Sequence, residues 1–598
     1  MCGIAGIITH QPALLSASRL KQMTDALAHR GPDGEAFWIN QSQTTGFGHR
    51  RLAIIDCSPA AAQPMHYAGR YTIVYNGEIY NYIELKTTLQ QKGYAFQTRS
   101  DTEVILAAYD CYKNSCLHHF DGMFAFAIWD EQEQALFAAR DRFGEKPFYF
   151  YKDGHQLVFA SEMKALWAAG IPRHMNEEML FNYLTLGYTQ NPRNPQQTFY
   201  RDIHKLPAGT FLEYRQQQLT IQEYRETATT TVARNDQEAI EQFNSLFQTS
   251  VKRRLRSDVP LGTSLSGGLD SSTVLAHMHQ PLNKTFSAVF PGFKNDESAA
   301  IQHIAEHTGV KNIQVQPNAG MLVNDLEKIC YHQEEPFQSA SIAAQFYVYQ
   351  LAREHGVPVL LDGQGADEIL AGYHKYYQWY WQQLYTSNKN ALHKELQAAH
   401  KNGITATWGW QNKMAAIFPG LAAWYLKQRP ANPHIAQDFK QNHGKSFYHR
   451  PRGNHLNSVL QYNTYENGLE ELLRYADRNA MAHGVEVRLP FLYHELVQFI
   501  FSLPAHFKIR DGYTKWLLRK SMSGRLPGNI VWQTRKIGFE PPQQQWMQHP
   551  ELQDYVQEAK KVLVQKGILK KAVLQKKIQP LDAHAAENYD WRYLVAGW

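Results

Sequence analysis

Ser266-Gly267-Gly268-Leu269-Asp270-Ser271-Ser272 follows the apolar run Val259-Pro260-Leu261-Gly262-Thr263-Ser264-Leu265 and precedes the helix-like Thr273-Val274-Leu275-Ala276-His277-Met278. The three pieces read as a strand, a glycine-rich turn and a helix start. Such a turn needs glycine because backbone must come close to phosphate oxygens. The helix opening there points unpaired N–H groups and its positive dipole end at an anion. Asp270, in the first turn, is placed to hold a magnesium ion. No Gly-x-x-x-x-Gly-Lys-Ser/Thr occurs in the chain, so this is not the lysine-bearing loop that usually serves γ-phosphate chemistry.

Around this loop, strand-like runs alternate with helices: Leu261 to Leu265, Lys284 to Phe290 and Val357 to Leu361. That alternation predicts a parallel sheet covered by helices, with ligands at the carboxyl ends of its strands. Asp362-Gly363-Gln364-Gly365-Ala366-Asp367-Glu368 follows the third run. Two glycines beside acids at a strand end suit a second phosphate and metal contact, and Asp367 is the natural partner of Asp270 for magnesium. Further on come Leu473 to His483, Val485 to Leu492, the stretch Thr514-Lys515-Trp516-Leu517-Leu518-Arg519-Lys520, which reads as a basic helix, and the basic loop Arg535 to Phe539.

The other end of the chain begins Met1-Cys2-Gly3-Ile4-Ala5-Gly6-Ile7-Ile8, an apolar strand. Removing Met1 would make Cys2 the N-terminal residue, and a free α-amine of pKa about 7.7–8 can serve as base for the thiol on the same residue. His29-Arg30-Gly31-Pro32-Asp33-Gly34 reads as a turn, His49 to Asp56 as a strand, and Tyr75-Asn76-Gly77-Glu78 as a strand ending in a tight turn. Ser100-Asp101-Thr102-Glu103 opens an apolar helix. Apolar strands at Gly122 to Asp130, Leu136 to Gly144 and Lys146 to Tyr151 suggest two packed sheets. Cys111, Cys116, His118 and His119 match no structural-zinc spacing and read as core packing.

The totals bound these readings. A chain of 598 residues is too long for one core, and 43% hydrophobic with 19% charged residues describes a globular protein of at least two domains. The net charge of +6 is scattered rather than massed in a stripe, which supports no nucleic-acid partner. Five cysteines without a CxxC pair point to a reducing compartment. No apolar stretch reaches the roughly 18 residues of a membrane span, and the start lacks a signal pattern. The expectation is a cytoplasmic protein that uses no membrane.

The SGGLDSS stretch resembles the loop of the ATP pyrophosphatases, whose members attack the α-phosphate and release pyrophosphate. Cys2, His29 to Gly34, His49 to Asp56, Tyr75 to Asn81 and Ser100 to Glu103 together resemble the class II glutamine amidotransferases over residues 2–215. With the words from about 235 to 550, the whole resembles the glutamine-dependent asparagine synthetases. The resemblance implies an N-terminal-nucleophile αββα sandwich at 2–215, then a parallel-sheet α/β ATP pyrophosphatase domain with helical insertions at 235–598. The junction is expected near 215–235.

It also implies roles. Cys2 attacks the glutamine amide; Arg51 clamps the α-carboxylate; Glu78 and Asp101 meet the ammonium; Ile54 and Ile55 line the same pocket. Asn76 and the Gly77 N–H form the oxyanion hole. Leu265, Ser266, Gly267, Gly268, Asp270, Ser271, Gly363 and Gln364 hold ATP, Asp270 and Asp367 hold magnesium, and Lys515 stabilises charge on the phosphates and the acyl-adenylate. Glutamine and ATP are the implied partners, with aspartate as acceptor; a homodimer is left open. Two departures keep other acceptors open, such as a sugar acid, a peptide or a secondary metabolite, as well as a sensor without synthetase activity. Gln364 stands where the family commonly has glutamate, and Tyr493 where an acid usually follows Pro-Phe-Leu. Residues 374–465 are rich in aromatics and read as a helical lobe packed on the domain, or else as a reshaped acceptor pocket.

Overall fold

The computed structural model describes residues 2–226, 233, 235–278, 284–418, 420, 432–451, 453–534 and 539–597. The basic loop at 535–538 and parts of the aromatic stretch lie outside them.

The first half of the fold is built on two sheets whose central strands are buried on both faces. One six-stranded sheet runs His204–Lys205, Tyr149–Lys152, Gln156–Ala160, Gly3–Thr9, Thr45–Arg51, Gly34–Ile39. A second runs Gln218–Glu223, Thr210–Arg215, Ala135–Arg140, Gly122–Asp130, Tyr71–Ile79, Met65–Tyr67. Every pairing between named strands in both is antiparallel. In Gly3–Thr9, Ile4 and Ile8 point between the sheets onto Val74, Ala125 and Ala127. Ala5 and Ile7 point out, under Leu20, Met23 and Leu166 of the helices Ala17–Asp25 and Met163–Ala168. The far face of the second sheet is covered by the helices Tyr82–Gln91 and Asp101–Tyr112. The result is the αββα sandwich, because alternate residues on these strands are apolar in both directions.

Two details differ from the sequence expectation, and one agrees with it. The hairpin partner Gln218–Glu223 carries the second sheet past residue 215. The strand expected over His49–Asp56 stops at Arg51, leaving Leu52 to Asp56 irregular. Cys116 is fully buried with Leu117 and Phe120, as core packing requires.

The second half is organised on a five-stranded parallel sheet in the order Lys311–Val315, Lys284–Ala288, Leu261–Ser264, Val359–Leu361, Glu486–Arg488. The polar strand Lys311–Val315 and the three-residue Glu486–Arg488 escaped the hydrophobic pattern. Strand order reverses between Leu261–Ser264 and Val359–Leu361, the switch point where open parallel sheets bind ligands. Both glycine-rich loops leave the sheet there. The two halves also share a core: Ile435, Phe439, Leu563, Leu569 and Tyr593 pack into the cluster of Phe181, Tyr183 and Leu166.

Candidate active site

At the start of Gly3–Thr9, Cys2 is buried and its backbone N–H donates to Asn76 Oδ1 at 2.9 Å. Asn76 is fully buried on Tyr71–Ile79 of the opposite sheet. With Oδ1 taken, its Nδ2 is buried without a hydrogen-bond partner among the described residues, a donor aimed into the site. Burial pushes the Cys2 thiol up, so a base beside it is needed to form the thiolate. Gly77 has φ of +153°, and a Cβ there would lie 2.1 Å from the Met123 carbonyl oxygen, so only glycine fits next to Asn76.

Arg30 had no role assigned from sequence, although its His-Arg-Gly-Pro-Asp-Gly turn stood out. It is fully buried, and its Nε donates to the Cys2 carbonyl at 3.1 Å. Its Nη1 donates to Glu162 Oε1 at 2.7 Å and to Asp477 Oδ2 at 2.8 Å. The Cys2 backbone is thus tied to the helix Leu469–Met481 of the second half.

The residues expected around glutamine converge near Cys2, with qualifications. Ile54 and Ile55 are buried in a cluster with Leu52, Tyr80, Met123, Val359 and Met481. Asp101, the first residue of its helix, accepts from the Tyr75 hydroxyl at 2.8 Å and the Ile79 N–H at 2.9 Å through Oδ2, and burial raises its pKa. Burial, then Glu486 and Asp101, hold Glu78 well above the usual carboxyl range, against the pull of Arg488. The guanidinium of Arg51 donates to the carbonyls of Ser58 at 2.8 Å and Asp56 at 2.5 Å, which fixes its direction.

At the switch point a cavity of about 560 Å³ is lined by Leu265, Ser266, Gly268, Asp270, Ser271, Gly363, Gln364, Asp367 and Lys515 among others. Gly267 is not among them; it makes the turn at φ +68°, where a Cβ would meet the Ala300 Cβ at 2.8 Å. A Cβ on Gly363 would lie 2.8 Å from the Ser271 N, so the two loops touch at backbone distance. Lys515 Nζ sits 2.5 Å from Asp270 Oδ2 and 2.6 Å from Asp367 Oδ1. Burial alone would lower the Lys515 pKa, but the two carboxylates overcome it and hold the ammonium charged. Lys515 is not inside a helix as its basic context suggested: it caps Trp516–Met522 in a left-handed conformation, φ +52°, which turns its side chain back to the loops. Burial pushes the Asp362 carboxyl up to about 6.

Of the two departures, only Gln364 faces this cavity, its Oε1 buried with no hydrogen-bond partner among the described residues. Tyr493 is buried elsewhere, its hydroxyl receiving a bond from Arg253 Nη1 at 3.3 Å, and does not line the cavity. In the aromatic stretch, Tyr377, Tyr380 and Trp381 are core, whereas Tyr376 lines the cavity with Glu368, Glu471 and Tyr475.

Two family descriptions match the chain: a glutamine amidotransferase domain over residues 1–225 and asparagine synthase over residues 242–596. Asparagine synthetase [glutamine-hydrolyzing] 1 of Bacillus subtilis is 31% identical over 93% of this chain and 89% of its own length. The putative asparagine synthetase of Mycobacterium tuberculosis H37Rv is 30% identical over 93% and 90%. Amidase chry2 of Gibberella zeae is 28% identical over 85% and 84%. Among solved structures, glutamine PRPP amidotransferase of B. subtilis matches at 16% identity over 60% of this chain and 81% of that one, with a TM-score of 0.29, too low to bear on the fold.

Proposed function

The chain belongs to the glutamine-dependent asparagine synthetase family, and from that premise we propose that it amidates aspartate, using ATP and ammonia taken from glutamine. An acceptor carboxylate oxygen attacks the α-phosphorus of ATP, forming the acyl-adenylate and expelling pyrophosphate. Ammonia then attacks the acyl carbon and AMP leaves, giving the amide. What supports this is the centre in which Lys515 lies between Asp270 and Asp367 at the sheet's switch point. Two carboxylates converging on one cation are a fitting donor set for magnesium, which when bound there would neutralise phosphate charge. Lys515 is placed to face the same phosphates once nucleotide enters.

In the other half, with Met1 removed, the Cys2 α-amine takes the thiol proton and the thiolate attacks the glutamine amide carbon. Asn76 Nδ2 is the donor placed for the oxyanion, ammonia leaves, and water releases glutamate from the thioester. Leu52, Ile54, Ile55, Tyr80 and Met123 meet Val359 and Met481 in one apolar cluster across the two halves. Ammonia passing along this apolar cluster would stay unprotonated and so nucleophilic.

A second acceptor reading is favoured by Gln364, whose unbonded Oε1 faces the cavity where a carboxylate would otherwise accept a proton. AMP formation measured across a panel of carboxylates, with ammonia as nitrogen source, separates the two. Aspartate-dependent AMP is the expected result. AMP formed only with a different carboxylate replaces aspartate and keeps the chemistry, and none with any acceptor contradicts the proposal.

A further inference from the structure

The glutamine pocket holds more buried acid than its own domain can balance. Glu78 is almost fully buried, its Oε2 has no hydrogen-bond partner among the described residues, and Asp101 lies beside it. A third carboxylate, Glu486, comes from the edge strand Glu486–Arg488 of the other domain's parallel sheet. The guanidinium facing them from that strand belongs to Arg488, which is fully buried.

Arg488 is clamped. Its Nε donates to Glu486 Oε1 at 2.6 Å, and its Nη1 donates to the carbonyls of Arg254 at 2.7 Å and Arg256 at 2.6 Å. Those bonds fix the planar group, so Nη2 is held 3.9 Å from Glu78 Oε1, beyond hydrogen-bond reach but within strong Coulomb range in a dry interior. One guanidinium and the terminal amine face three buried carboxyls, which leaves room for the further positive charge that a substrate ammonium supplies.

Resting on the glutaminase reading above, we infer that Arg488 is a positioning residue of the glutamine pocket: from the synthetase domain its clamped guanidinium faces Glu78 and favours the carboxylate that receives the α-ammonium of glutamine. The groups around Glu78 are Asp101, Glu486, Arg488, Cys2, Tyr75, Tyr82 and the terminal amine of the chain. Burial, Glu486 and Asp101 all favour the protonated acid, and Arg488, then the terminal amine of the chain, oppose them. Without Arg488 the carboxylate forms only at higher pH.

The test is glutamate release against pH and glutamine concentration for wild type, Arg488→Met and Arg488→Lys, with thermal unfolding of each. Arg488→Met is expected to move the acid limb of kcat/KM upward by about one pH unit, so that glutamine KM rises by up to about tenfold on the acid side of the limb. The rise shrinks at higher pH, kcat changes little, and Arg488→Lys restores most of the affinity. An unmoved acid limb overturns the inference. So does a parallel fall of kcat, kcat/KM and melting temperature in both variants, which would make Arg488 a structural residue only. A wild-type enzyme that releases no glutamate overturns the glutaminase reading itself, and the inference with it.

Discussion

Asp270 carries two demands at once. It opens the helix Leu269–His277, where the dipole favours an anion, and it shares Lys515 with Asp367. An amide in its place keeps the shape and loses the charge. Asp270→Asn is therefore expected to lower AMP formation by about 10²–10³-fold with ammonia as the nitrogen source, so that the glutaminase half has no influence on the readout. AMP formation at the wild-type rate would remove Asp270 from the activation step.

At the scale of elements, the site gathers at turns into helices: Asp270 and Asp367 lie in the first turns of Leu269–His277 and Ala366–Ile369, and Lys515 caps Trp516–Met522. Gly372 shows how tight these turns are: a Cβ there would fall 1.7 Å from Asp367 Oδ1 and 2.2 Å from Lys515 Cε. Both groups must move to admit a methyl. Gly372→Ala is expected to cut AMP formation at least about a hundredfold while glutamate release from glutamine stays near wild type; an unchanged rate would show that the Lys515 centre tolerates displacement. Much of this layout was legible in sequence. Leu261 to Leu265 is apolar and followed by the loop motif, so both the strand and its ligand end could be assigned. Lys311–Val315 was not legible, because its residues are polar and only partly buried at the sheet edge. Glu486–Arg488 was hidden for another reason: its two charged residues are buried against each other, and a hydrophobic pattern cannot report a buried ion pair. The same blindness concealed Arg30 and Asp477, whose partners lie 447 positions apart.

On the scale of the whole molecule, the two halves are not independent bodies. Arg30 and Asp477 join the Cys2 backbone to the helix Leu469–Met481, whose Glu471 and Tyr475 line the switch-point cavity. Arg478 of the same helix lies against Glu162 and Glu334 at 2.9 and 2.7 Å. Helices from the end of the chain complete the apolar core under Phe181 and Tyr183. Such a shared interior suits a chemistry in which the product of one half is the reactant of the other. The most direct measurement follows the nitrogen: glutamine labelled with 15N in its amide, ATP, the acceptor that supports AMP formation, and an equimolar pool of unlabelled ammonium. The account predicts that the product amide carries the glutamine label well above its fraction in bulk ammonium, and that Cys2→Ala abolishes this enrichment while still forming unlabelled amide. Label equal to that of the bulk pool in the wild-type product would contradict it.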